Sequence, residues 1–128
     1  MSDPIVFISN QKIKKGALEE YTQYYREVAE FTEANKPDTL AHTAFASEDG
    51  TAVSIVHIFP DAEAMQVHMR GVGELANKAY QWMEIVSFEI YGKADPAVVD
   101  KMKQIAGPHI AVGLKPLPLG NYMRLKRG

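Results

Sequence analysis

The 128 residues include four histidines and no cysteine, so proton transfer or metal binding at an imidazole is the first chemistry to consider. His42 and His57 lie in apolar runs on either side of Asp49-Gly50. Leu40 to Ser47 and Thr51 to Phe59 read as strands, and Asp-Gly between two such runs predicts a hairpin closed by a type I′ turn. With Asp49 and Gly50 as the two loop residues, Glu48 pairs with Thr51, and counting back along both strands places His42 opposite His57. Leu40, Ala44, Ile55 and Phe59 share that face, so the pair sits among apolar side chains. Burial and mutual repulsion then depress at least one pKa, leaving a neutral imidazole able to act as a base near neutrality. The plainer reading is that each ring hydrogen-bonds a neighbour within the sheet, and a longer turn would shift the pairing.

His68 follows eleven residues after His57, on a helical stripe with Met65 and Val72. It is either a third member of the group or a half-buried helix histidine bonded to a carbonyl. Three histidines could in principle hold a metal, but the spacing of 42, 57 and 68 is neither a helical HxxxH nor a two-histidine-one-carboxylate pattern, so a metal site is the minority reading and no metal and no cofactor are expected. His109, beside Pro108 at a helix end, reads as a loop residue. Tyr21, Tyr24, Tyr25 and Trp82 offer a wall for a flat ligand, or equally a packed core. Of these, Tyr25 and Trp82 join Asn10, a polar residue near the end of an apolar strand, as the substrate-binding candidates.

Other signals point away from alternative functions. Gly71 to Ala76, GVGELA, matches a dinucleotide fingerprint in letters, but it interrupts a helix instead of following a strand. The basic clusters at Lys12, Lys14 and Lys15 and at Arg124, Lys126 and Arg127 lack interleaved aromatics, and the formal charge is −2, so no nucleic-acid partner is expected. No apolar run reaches the length of a membrane span and the first residues are unlike a signal peptide, which makes a cytoplasmic location the expectation. Without cysteine there is no thiolate nucleophile, cysteine zinc site or iron–sulfur cluster.

The elements that must position the histidines follow from periodicity and punctuation. Ile5 to Lys12 reads as a strand, Ala17 to Asn35 as a helix stopped by Pro37, and Pro60-Asp61 as the start of a long helix that Gly71 and Gly73 kink or divide. Ile85 to Tyr91 is a fourth strand. Asp95 caps a further helix with Pro96 at its first position and Gly107-Pro108 as its stop, and Ile110 to Leu114 and Asn121 to Leu125 are short added strands. The expectation is therefore an α+β, ferredoxin-like βαββαβ fold over residues 1–94, with a C-terminal extension over 95–128, in one domain. Right-handed crossovers put both main helices on one face of a four-stranded antiparallel sheet. Yet Val6 and Ile8 are as apolar as Ile5 and Phe7, and Val56 and Ile58 as Val53 and Ile55. A sheet wetted on one side alternates more cleanly, so a second copy packed on the open face, a homodimer, is expected.

SIVHIFPDAEAMQVHM, residues Ser54 to Met69, together with this topology, resembles the antibiotic biosynthesis monooxygenase superfamily of dimeric α+β barrels. In that superfamily the third strand ends in an aromatic-Pro-Asp-like turn, and the next helix carries an alanine and then a histidine. FEIYGKADPAVVDKM, residues Phe88 to Met102, and LGNYMRL look like a branch with a C-terminal extension. The resemblance implies a homodimer and an apolar pocket between sheet and helices. For some members it also implies oxygenation of an activated phenol or quinol without metal or flavin. His57 or His68 would then be the base, with His42 beside them and Asn10 and Trp82 as positioning residues. The haem-degrading branch has a first-strand asparagine, which Asn10 matches. Its helix tryptophan and its iron-binding histidine fall on His68 and Lys78, which argues against haem degradation. The resemblance thus implies a cofactor-independent monooxygenase for a small aromatic substrate or, as the alternative, a non-catalytic dimeric small-molecule-binding protein.

Overall fold

The first strand shows how the molecule divides into two faces. In β1 (Ile5–Ile13) the odd positions Ile5, Phe7, Ser9, Gln11 and Ile13 are buried, while Val6, Ile8 and Asn10 are half-buried, as the two-residue period of a strand requires. This computed structural model describes residues 3–124. Helix α1 (Leu18–Asn35) begins with Glu19 and Glu20 in its first turn, where the helix dipole favours acids. It ends before Pro37, and Lys36 has already left the helical region, as a residue preceding proline prefers.

β2 (Ala41–Ala46) and β3 (Ala52–Phe59) pair antiparallel with His42 opposite His57, the register expected from the sequence. The turn itself differs from the type I′ expectation. Among the described residues none other than glycine has positive φ, so Asp49 stays in the ordinary region and, of the two, only Gly50, at φ 73°, is left-handed. The Asp49 carboxylate accepts hydrogen bonds from Ser47 Oγ, Thr51 N and Thr51 Oγ1, which favours this turn over the mirror-image one.

Asp61 caps α2 (Ala62–Met69), accepting a 2.8 Å hydrogen bond from Ala64 N. The expected long helix is divided at Gly71, whose φ of 79° cannot continue a right-handed helix, and α3 (Val72–Ala79) follows with Gly73 inside it. β4 (Met83–Tyr91) starts two residues earlier than expected, and its pairing with β1 slips by one residue between Asn10 and Gln11. α4 (Pro96–Ala106) has the expected Asp95 cap, and β5 (Ala111–Lys115) runs parallel to β4. Residues 121–124 form no strand, and Leu125, the end of the strand expected there, lies outside the described residues.

The sheet order is β2-β3-β1-β4-β5, an α+β arrangement in which the four antiparallel strands have the ferredoxin-like order and β5 extends one edge. Two apolar clusters cover the helix-facing side. Met65 of α2 and Val98 and Met102 of α4 pack on Ile5, Phe7, Phe59 and Ile90. Tyr21 and Tyr24 of α1 and Ala79 of α3 pack on Ile13, Val53, Ile55 and Met83. The C-terminal helix therefore shares the core of the preceding elements. On the other side Val6, Ile8, Val56 and Ile58 are half-buried and Phe45 is 64% exposed. No helix among the described residues is long and apolar enough to cross a membrane.

Candidate functional site

His42 from β2, His57 from β3 and His68 from α2 converge. Strand register sets the first two across from each other, with ring centres 4.6 Å apart. The Asp61 cap then fixes where α2 starts, and two turns later its buried face delivers His68, 5.4 Å from His57 and 5.7 Å from His42 between ring centres. One ring nitrogen from each of the three lies within 4.8 Å of the others.

The three Nδ1 atoms have separate partners. His57 Nδ1 is 2.9 Å from the Phe7 carbonyl oxygen, which can only accept, so this nitrogen carries the proton and Nε2 keeps its lone pair. Tyr25 Oη is 2.8 Å from His42 Nδ1, and Thr39 Oγ1 is 2.8 Å from His68 Nδ1. Phe7 stacks on His57 with ring centres 4.7 Å apart, and Phe59 lies against His68. Burial holds His42 and His68 down at about 4, with repulsion from His42 and Lys36 adding to the effect at His68. His57 is pushed well below its ordinary value by burial and then by the neighbouring His42. All three rings are thus neutral at pH 7.

The group lines a cavity of about 200 Å³ between the sheet and the helices. An apolar cavity of about 150 Å³ can hold benzene, so this space suits one substituted ring or a small fused pair. Its other walls include Tyr21, Tyr24, Val28, Ile55, Met83 and Phe88. A second polar group lines it as well: Tyr21 Oη donates to Gln11 Oε1, and Gln11 Nε2 donates to Ser9 Oγ at 3.1 Å. The C-terminal helix contributes Val98, Lys101, Met102 and Ile105 to the lining.

Of the residues singled out from sequence, His42, His57, His68 and Tyr25 share the cavity, and Asn10 and Trp82 do not line it. Asn10 belongs to the half-buried register of β1, on the opposite face. There its Nδ2 donates to Ser87 Oγ and Glu89 Oε2, and its Oδ1 accepts from Ser54 Oγ. Trp82 packs on Tyr24 and donates from Nε1 to Glu20 at 2.9 Å. The strand pattern puts Asn10 on the non-helical side, which spacing from Phe7 and His57 would have revealed. The same count finds what was missed, because Ser9 and Gln11 are polar residues at inward positions of β1. Thr39, in the turn before β2, has no comparable signal.

At the level of sequence, no family profile and no curated protein matches the chain. Solved structures do match it in fold. MupZ from Pseudomonas fluorescens superposes with a TM-score of 0.74 at 19% identity over 97% of both chains. SnoaB from Streptomyces nogalater, described as a cofactor-independent oxygenase, matches with a TM-score of 0.60 at 16% identity, over 73% of this chain and 96% of its own. A protein from Bacteroides thetaiotaomicron, described as a candidate antibiotic biosynthesis monooxygenase, reaches 0.56 at 24% identity over 65% of this chain and 85% of its own. At these identities the likeness establishes a shared fold, that of the antibiotic biosynthesis monooxygenase-type proteins.

The neutral histidines make stability depend on pH. Below their ordinary value of 6.5 the unfolded chain binds protons that folded His42 and His68 refuse until about 4, so stability falls as pH drops through this window and levels off beneath it. Each contributes on the order of 3 kcal/mol of stability at pH 7 that is lost across the whole window. Urea unfolding of the metal-free protein at about pH 7 and about pH 4.5 should show the loss. His68→Gln should shrink the loss by that residue's share, leaving the part due to His42 and His57, and equal stability of the wild type at both values would contradict the burial of these rings.

Proposed function

We propose that this chain, which has the fold of the antibiotic biosynthesis monooxygenases, oxidises a small aromatic or quinol substrate in the histidine-lined cavity without a bound cofactor. The observation that carries the reading is the His57 ring, held through Nδ1 by the Phe7 carbonyl so that Nε2 keeps its lone pair, on the wall of an otherwise largely apolar cavity. The oxygenase description of SnoaB supports the reaction class.

The chemistry runs in balanced steps. The substrate hydroxyl gives its proton to His57 Nε2, leaving a phenolate. Burial makes His57 a weak base on its own, but the phenolate formed beside it is the counter-charge that raises its proton affinity. The phenolate passes one electron to dioxygen, the radical and superoxide combine in a new carbon–oxygen bond, and the resulting peroxide takes the proton back from His57 and, with the hydrogen of the attacked ring carbon, loses water to leave a quinone carbonyl. Dioxygen is the only oxidant, reduced by four electrons overall to the quinone oxygen and water. His42 and His68 line the cavity beside His57, and Tyr25 and Thr39 hold them. The apolar walls keep water away from the radical pair. At the other polar group, Tyr21, Gln11 and Ser9 offer hydrogen bonds to a second substrate oxygen.

A second copy on the open sheet face completes the proposal. Val6, Ile8, Val56, Ile58 and Phe45 supply apolar surface around a polar patch whose groups are already satisfied by one another, Asn10 by Ser54, Ser87 and Glu89, and Glu89 by Tyr91. Such a patch can be covered without stranding a polar group.

Oxygen consumption over a panel of hydroquinones, naphthols and naphthohydroquinones, the ring sizes the cavity suits, tests the reaction. Wild type should turn over at least one class, and His57→Ala should lower kcat by about 100-fold or more. Equal rates for wild type and variant would refute the role of His57, and ligand binding without turnover across the panel would favour the binding-protein reading. Light scattering at micromolar concentration should give the mass of two chains. Val56→Asp should shift it to one, and a wild-type monomer would remove the dimer.

A further inference from the structure

Three imidazoles with their Nδ1 atoms engaged, lining one cavity and bringing one nitrogen each within 4.8 Å of the others, have the arrangement of a metal site. We propose that His42, His57 and His68 bind one divalent transition-metal ion. Each ring has an orienting partner on its outer nitrogen: the Phe7 carbonyl for His57, the Tyr25 hydroxyl for His42 and the Thr39 hydroxyl for His68. Such partners fix ring orientation in metal-binding histidines.

The spacing fits. Imidazoles around a tetrahedral ion with bonds of about 2.0 Å have ring centres about 5 Å apart. The separations here are 4.6, 5.4 and 5.7 Å. The nitrogens lie within 4.8 Å of one another and must draw in to about 3.3 Å on binding, a closure of roughly 1.5 Å for a pair at that limit. Burial keeps the rings neutral, so no proton has to leave before a metal enters. An all-nitrogen donor set selects zinc, copper, nickel or cobalt over magnesium and calcium. Three ligands leave a coordination position open toward the cavity, where water or a ligand oxygen completes the shell. The wide sequence spacing that argued against a metal does not apply, because the ligands come from two strands and a helix.

This inference does not rest on the oxygenase reading. A metal would occupy the nitrogen that the base mechanism needs, so binding and turnover are measured separately and either can fail alone. The chelator-treated full-length chain is titrated with zinc and with cobalt, followed by calorimetry and by the visible absorption of tetrahedral cobalt. One ion per chain is expected, with at least about 100-fold weaker binding in His57→Ala and His68→Ala and about 10-fold weaker binding in Tyr25→Phe. His109→Ala, altering an exposed histidine in a turn, should bind as the wild type does. If the ligand variants fail to fold, X-ray absorption of the zinc-loaded wild type decides: three imidazoles in the first coordination sphere support the site, and an oxygen-dominated sphere overturns it. Absence of stoichiometric binding, or binding untouched by His57→Ala in a folded variant, also overturns it.

Discussion

Three imidazoles packed with ring centres 4.6 to 5.7 Å apart under apolar cover cannot all be charged, and much of this structure can be understood from that constraint. Each ring must stay neutral, so each needs a partner for its outer nitrogen that is compatible with neutrality. The partners come from different elements: a β1 carbonyl, an α1 tyrosine and a threonine ahead of β2. The histidines thus tie the first helix, the central strand and the hairpin together. One nitrogen from each ring lies within 4.8 Å of the others on the cavity wall, the group on which the proposed base and metal chemistry both draw.

The sheet separates two kinds of polar chemistry. On the helix side the polar groups are histidines and the Tyr21–Gln11–Ser9 chain, lining a space that holds a small ring. On the open side Asn10, Ser54, Ser87, Glu89 and Tyr91 satisfy one another. Tyr91 and Asn10 hold the Glu89 carboxyl below its usual range by hydrogen bonding to it. The first set can engage a ligand, whereas the second mainly neutralises a surface. That distinction explains why Asn10, conspicuous in the sequence, does not reach the cavity.

Much of the arrangement was legible because short-range chemistry set it. Asp49-Gly50 placed the hairpin correctly even though the turn is of another type, since the pairing of Ala46 with Val53 keeps the same count to His42 and His57. The Asp61 and Asp95 caps marked two helix starts to the residue. What stayed hidden depended on packing between distant elements. Whether His68 met the other two rested on how α2 lies across the sheet, and Thr39 joined the site only through that contact. Trp82 looked like a pocket wall by spacing, but Glu20 on α1 engages its indole nitrogen instead. Ser9 and Gln11 could have been found by extending the alternation of Ile5 and Phe7 two steps further.

Both proposed chemistries need His57 to keep an unprotonated Nε2 beside two other neutral rings. Long-range proton–nitrogen NMR on the metal-free, imidazole-labelled protein reads tautomer and charge at each ring. His57 should show the Nδ1–H form across the whole range from pH 7 to pH 5, with His42 and His68 neutral until about 4. A His57 protonated on Nε2, or a trio titrating near the ordinary value of 6.5, would contradict this.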